Sequence, residues 1–210
     1  MAFSSLLFIY AFLPLSLGIY YIAPKKLRIA LLLILSAVYC GTFSLYLPFF
    51  MAVYALWNYL AVLMSETLRK YRLLSVIAAA AGVLGDIFVF LMFRTDLFSI
   101  FGKADLPSGA LIPVGAVFFT LSAIGYTADV CSGKIKAERN FFRFFLYIIF
   151  FPKLPMGPVV SYSSFSRMLS RNKKSLSELG AGLSLFVRGL VKKVLFADSM
   201  FALYTAVSSI

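Results

Sequence analysis

The stretch Ile29-Ala-Leu-Leu-Leu-Ile-Leu-Ser36-Ala-Val-Tyr39-Cys40-Gly41-Thr42-Phe43-Ser44-Leu-Tyr46-Leu-Pro48-Phe-Phe-Met-Ala-Val-Tyr54-Ala-Leu-Trp57-Asn58-Tyr-Leu-Ala-Val-Leu-Met64-Ser65 runs for 37 residues without a charge. As one helix it would extend about 55 Å, far beyond the roughly 30 Å of a bilayer core. Gly41-Thr42-Phe43-Ser44 and Pro48 interrupt it. The reading is therefore a hairpin of two spans, about 29–46 and about 48–64. Lys25, Lys26 and Arg28 precede the run, and Arg69, Lys70 and Arg72 follow it. A hairpin puts both basic clusters on one face of the membrane.

The same reading extends outward. Ala2–Ile22 is uncharged, about 31 Å of helix. Its start lacks a basic n-region, and Tyr20-Tyr21-Ile22-Ala23-Pro24-Lys25 makes a poor cleavage site, so this segment is expected to remain as a span. A fourth span is expected at about 73–93, with Asp86 inside it, and a fifth at about 110–128, ending at Asp129. The loop between them carries Arg94, Asp96, Lys103 and Asp105. The fold expected is an all-α polytopic membrane protein, one membrane domain over 1–210.

Composition supports this class. The chain is 62% hydrophobic and 17% aromatic, only 13% charged, with mean hydropathy +0.95 and net charge +12. A soluble nucleic-acid binder would carry its basic charge on a polar surface, and a disordered chain would be poor in aromatics. The excess has another origin. In the topology above, 18 of the 20 Lys+Arg fall on one side, and Arg94 and Lys103 outside are balanced by Asp96 and Asp105. The positive-inside rule makes that side cytoplasmic and the N-terminus external. Cys40 and Cys131 are expected to be free, buried thiols; two cysteines and no histidine make no metal framework.

The segment after the fifth span is unusual. Phe144–Pro152 holds nine uncharged residues and leads into Pro152-Lys153-Leu154-Pro155-Met156-Gly157-Pro158. Basic residues flank it on both sides, from Lys134 to Arg143 and from Arg167 to Lys174. Entry and exit on the same side imply a re-entrant segment at about 141–160, broken by prolines that cannot continue a helix. The alternative is a membrane-surface helix ending in a proline-rich turn. A further helical region, about 176–210, begins with Ser175 and Glu178 at capping-box spacing and places Arg188 and Lys192 on one face.

Four stretches, in order and in register, resemble the membrane-bound O-acyltransferase family, in its bacterial alginate O-acetyltransferase branch. They are Pro24-Lys25-Lys26-Leu27-Arg28, Ile112-Pro113-Val114-Gly115 through Tyr126-Thr127-Ala128-Asp129, Phe150-Phe151-Pro152-Lys153-Leu154-Pro155-Met156-Gly157-Pro158-Val159, and Gly189-Leu-Val-Lys192-Lys193-Val-Leu-Phe-Ala197-Asp198. Lys153 stands where the family usually has Gln, and Ser161-Tyr162 where an arginine is common. The resemblance implies acyl transfer from a cytoplasmic thioester such as acetyl-coenzyme A to hydroxyls of an envelope polymer, with no tightly bound cofactor. It also implies that the catalytic histidine belongs to a C-terminal half. No catalytic residue is therefore expected in these 210 residues, which are expected to be inactive alone. The partners expected are the bilayer, that C-terminal half and envelope acetylation proteins, with no nucleic acid.

Site candidates follow. Pro152, Lys153, Gly157 and Pro158 are expected along the substrate path. Arg188, Lys192 and Lys193 are candidates for donor phosphates, against a plain reading as headgroup-snorkelling cations. Asp86 is the intramembrane acid, a functional candidate or a hydrogen-bond partner for a neighbouring helix. Asp129 is the motif acid, expected near Lys134 or Lys136 as an ion pair. Tyr126 and the Phe118–Phe119 pair are expected to be packing. Two other classes remain open on the sequence: a non-catalytic membrane scaffold, and a transporter half, the latter without the paired broken segments such proteins carry.

Overall fold

A computed structural model describes residues 7–24, 27–94, 115–154, 159–170, 176–200 and 204. Regular structure among them is helical throughout. The chain divides into two compact units, Ile22–Arg171 and a second made of Ala2–Tyr21 with Asn172–Ile210. The second unit holds α1, Phe8–Ile22, which opens with a π turn, and α8, Leu176–Lys192, which runs into another. The first unit holds α2 (Arg28–Gly41), α3 (Leu47–Thr67), α4 (Arg72–Arg94), α5 (Ala116–Cys131), α6 (Phe141–Ile149) and α7 (Tyr162–Ser170).

The hairpin expected from the uncharged run is α2 and α3. Its turn comes earlier than the sequence suggested. α2 stops at Gly41 because the Thr42 hydroxyl bonds back to the Tyr39 carbonyl at 2.7 Å and the Phe43 amide takes the Cys40 carbonyl. α3 then starts at Leu47 with Pro48 in its first turn, where the missing N–H costs nothing. Leu47–Lys70 and Arg72–Leu91 are long and apolar enough to cross a membrane; Phe8–Ile22, Arg28–Gly41 and Ala116–Cys131 are shorter apolar helices. α5 begins at Ala116, and residues 110–114 of the expected fifth span lie outside the described residues.

Within the first unit α3 is the hub, packing on α2, α4, α5 and α6. α3 and α4 come close because Gly82 faces Ala61 and Gly85 faces Trp57. A Cβ on Gly85 would land 2.5 Å from the indole nitrogen. Near the turn joining them, the Ser75 hydroxyl donates to the Ser65 carbonyl at 2.7 Å. The outer faces of these helices are apolar: Leu73, Leu84 and Phe88 on α4, and Phe49, Val53 and Met64 on α3, are all more than half exposed. Polar groups instead lie inside, Ser36, Asn58, Ser65 and Asp86 among them. That distribution is the reverse of a water-soluble core and suits helices that meet lipid. Cys40 and Cys131 are free as expected, but only Cys40 is buried; Cys131, at the last residue of α5, is partly exposed.

Candidate functional site

The site is built on α6, which the sequence marked as too short to span. Asn140 caps it, its side-chain oxygen accepting from the Phe142 amide at 3.0 Å. Nine residues make about 13 Å of helix, less than half a bilayer core. Phe144 to Ile149 are buried in an unbroken run, so α6 beyond its exposed first turn is enclosed by protein on every side. Phe144 lies against Tyr59, Tyr126 and Tyr147, with the Tyr126 ring 4.9 Å away.

A turn at Phe151–Leu154 follows. The Phe151 amide donates to the Ser36 hydroxyl of α2 at 3.2 Å, and the Lys153 amide closes the turn on the Phe150 carbonyl at 3.1 Å. Leu154 then reaches the start of α5. Its carbonyl oxygen lies where a Cβ on Gly115 would be, 1.6 Å from the ideal position. Gly115 has φ +85°, so glycine is required there on two counts.

Lys153 points inward from this turn and is only 6% exposed. Its ammonium donates to Ser122 Oγ of α5 at 3.2 Å and sits 3.5 Å from the centroid of the Tyr147 ring. The Ser122 hydroxyl in turn donates to the Phe118 carbonyl at 2.7 Å. Tyr147 donates to the Val160 carbonyl at 2.8 Å, with the Ser122 carbonyl at 3.3 Å. No carboxylate pairs with Lys153 among the described residues. Burial lowers the Lys153 ammonium from the ordinary lysine range to about 7. The ring face beneath it favours the cation and offsets part of that.

The sign of the resulting pH dependence is fixed. The unfolded chain holds the Lys153 proton up to about pH 10.4 and the folded chain releases it near 7, so folding gains stability as pH rises through that window. Replacing Lys153→Met removes this slope and raises the apparent melting temperature at pH 7. Parallel wild-type and variant melting curves from pH 7 to 9.5 check it; equal slopes would contradict the burial argument.

The chain returns to where it left. Tyr162, the first residue of α7, donates to Glu138 Oε2 at 2.5 Å, and Glu138 Oε1 accepts from the Asn140 amide. The path from Glu138 runs through α6, touches the opposite end of α5 at Gly115, and comes back beside Glu138. The loop at its base is clamped by α3 and α5. Glu66 accepts from the Ala137 amide and from Arg139, both at 3.0 Å, Tyr59 donates to the Arg139 carbonyl at 2.6 Å, and the Glu138 amide donates to Tyr126 Oη at 2.8 Å. Arg69 lies over Gly133, whose φ is +77°.

The remaining candidates are scattered. Pro152 is exposed beside Lys153, and Gly157 and Pro158 lie outside the described residues. Asp129 pairs with Lys134 at 3.6 Å near the base of the site. Asp86 is fully buried between α3 and α4 and accepts from Asn58 Nδ2 at 2.7 Å. Arg188 and Lys192 are exposed on α8 and Lys193 is half-buried, all in the second unit. Ser122, Tyr147, Glu138 and Glu66 were not singled out from the sequence, and Tyr162 was noted only as a departure from the family pattern. Hydroxyls and phenols inside apolar runs read as packing, and only the tertiary fold shows which of them meet. Tyr126 does pack as expected, but its hydroxyl also holds the Glu138 amide.

No family model matches the chain, and no solved structure matches it. Curated relatives do. The probable alginate O-acetylase AlgI of Azotobacter vinelandii is 31% identical over 213 residues, covering 95% of this chain and 42% of that protein. The protein of the same name from Pseudomonas fluorescens is 29% identical over 208 residues, covering 95% and 39%. The peptidoglycan O-acetyltransferase of Helicobacter pylori is 26% identical over 235 residues, covering 94% and 44%. The chain thus spans about two-fifths of the length of the relatives it matches. The likeness read from four short motifs extends along nearly the whole chain, and it is a likeness to bacterial alginate O-acetylases.

Proposed function

We propose that the chain is part of a membrane O-acyltransferase that moves acetyl groups from a cytoplasmic thioester of the acetyl-coenzyme A class to hydroxyls of an extracellular, alginate-like polysaccharide. The observation that carries this reading is the similarity to alginate O-acetylases over 95% of the chain. It sits in the bacterial inner membrane with its N-terminus outside. α6 and the Phe151–Leu154 turn are the descending limb of a re-entrant segment that walls the acyl path, and Pro152, Lys153, Gly157 and Pro158 line it. Arg188, Lys192 and Lys193 draw the donor's phosphates to the cytoplasmic mouth.

The chemistry needs a base to activate a hydroxyl, usually a group with pKa near neutrality. These 210 residues contain no histidine, so in this reading the base comes from a segment outside them, and the present residues bind, orient and exclude water. The H. pylori relative supports a second acceptor, the peptidoglycan hydroxyl.

A chimera tests both. The matching two-fifths of the A. vinelandii alginate O-acetylase is replaced by this chain, and the hybrid is expressed in cells lacking the native enzyme. Acetylated alginate is the expected product, and residues 1–210 alone yield none. Acetyl groups on peptidoglycan but not alginate would move the assignment to the second acceptor. A hybrid that reaches the membrane and acetylates neither would end the acyltransferase reading.

A further inference from the structure

The corner between α3 and α4 carries cations that the acyl-transfer reading does not use. A single short helical turn, Leu68–Lys70, joins the two helices and sets Arg69, Lys70 and Arg72 side by side, all exposed. The loop 132–140 lies against this corner through Glu66 and adds Lys136, also exposed. The Arg69 guanidinium is seated on that loop. A Cβ on Gly133 would fall 1.6 Å from Arg69 Nη2 and 2.8 Å from its Cζ, and Gly133 takes φ +77°. Glycine satisfies both the backbone and the close approach.

The carboxylates of this corner and its loop are already engaged. Glu66 accepts from the Ala137 amide and from Arg139, Asp129 pairs with Lys134, and Glu138 accepts from the Asn140 amide and from Tyr162. Arg69, Lys70, Arg72 and Lys136 make no ion pair among the described residues. Orienting the spans requires only that such cations stay on one side of the membrane. It does not require an arginine fixed against a glycine. A cluster of cations whose neighbouring acids are spent attracts an anion from outside.

The adjoining surface selects the kind of anion. Tyr71, between Lys70 and Arg72, is 61% exposed, and a ring with a polar tip suits a membrane interface. α4 begins at Arg72, and Leu73, Ile77, Leu84 and Phe88 beyond it are all more than half exposed. Their spacing keeps them on one face of the helix, a stripe about 22 Å long. A soluble phosphate has no use for such a stripe. A lipid sets its phosphate at one end and lays its chain along the rest. We propose that this corner binds one anionic phospholipid, its phosphate held by Arg69, Lys70 and Arg72 and an acyl chain lying on the α4 stripe. Arginine offers phosphate a planar fork of N–H donors, and the seat on Gly133 fixes one fork in advance. The site rests on the chain lying in a membrane and not on the acyl-transfer reading, so an inactive chimera leaves it standing.

The test uses the 210-residue chain purified in dodecyl maltoside and titrated with dioleoyl phosphatidylglycerol, dioleoyl phosphatidylcholine or glycerol 3-phosphate. Phosphatidylglycerol is expected to raise the apparent melting temperature saturably, by roughly 3–8 °C, and the other two are not. Arg69→Gln should weaken half-saturation about fivefold, and Arg69→Gln with Lys70→Gln roughly 25-fold. Lys25→Gln with Lys26→Gln removes the same charge from another loop and should change it less than about twofold. Gly133→Ala unseats Arg69 and should weaken binding as Arg69→Gln does; if it does not fold, the variants of exposed residues decide alone. An equal response to both lipids overturns the proposal, as does a folded Gly133→Ala protein that binds like wild type. Equal losses in the two double variants would mean diffuse attraction to the whole face and overturn it too. A full response to glycerol 3-phosphate would assign the corner to a soluble phosphate instead.

Discussion

Gly115→Ala should lower the apparent melting temperature of the chain by roughly 6–15 °C. Two costs combine. Alanine at φ +85° enters the left-handed region at about 1–2 kcal/mol. Its methyl also meets the Leu154 carbonyl oxygen, 1.6 Å from the ideal Cβ, and that neighbour is backbone rather than a flexible side-chain tip. The turn at Phe151–Leu154 must back away, bringing the total to about 3–5 kcal/mol. The damage has a local signature. When the turn retreats, Lys153 leaves Ser122 and Tyr147 and becomes reachable by an amine-reactive reagent. Wild type should leave Lys153 unlabelled while exposed lysines such as Lys134 react. A melting shift under about 2 °C, or Lys153 still protected, would show that the turn tolerates the methyl.

Phe144→Ala should destabilise by about 3–5 kcal/mol. Phe144 is fully buried in α6 with Tyr59, Tyr126 and Tyr147 around it. In a bilayer the apolar alternative to burial is lipid rather than water, so the loss comes from packing. The void left by the ring removes contacts from three tyrosines at once, and all three carry hydrogen bonds of the site. Phe144→Leu refills most of the volume and should recover more than half of the loss. Unfolding by sodium dodecyl sulfate titration of the three forms measures it; equal midpoints for alanine and leucine would show that the site collapses instead of leaving a cavity.

Much of the architecture was legible because run length and charge spacing are local. The 37-residue uncharged run had to fold back, and the hairpin is there. The ends were less legible: α2 stops at Gly41 through a threonine-to-carbonyl bond that residue spacing does not reveal. Lys153 was noticed as a charge inside a proline-broken apolar stretch. Its partners Ser122 and Tyr147 lie 31 and 6 residues away and look like ordinary helix fillers. The requirement for glycine at 115 depends on a carbonyl 39 positions later in the chain. Helix periodicity cannot report such pairings, because they are properties of the assembled bundle.

The bond between Glu138 and Tyr162 has a consequence for how this protein can change over evolution. It fastens together the two feet of the excursion that holds α6 and the turn, so that excursion is closed at its base by one side-chain bond. The turn at the far end is pinned as well, by the Phe151 amide on Ser36 and the Leu154 carbonyl against Gly115, so a substitution there has two fixed ends to satisfy. Excursion and helices are therefore expected to change together along a lineage rather than one at a time.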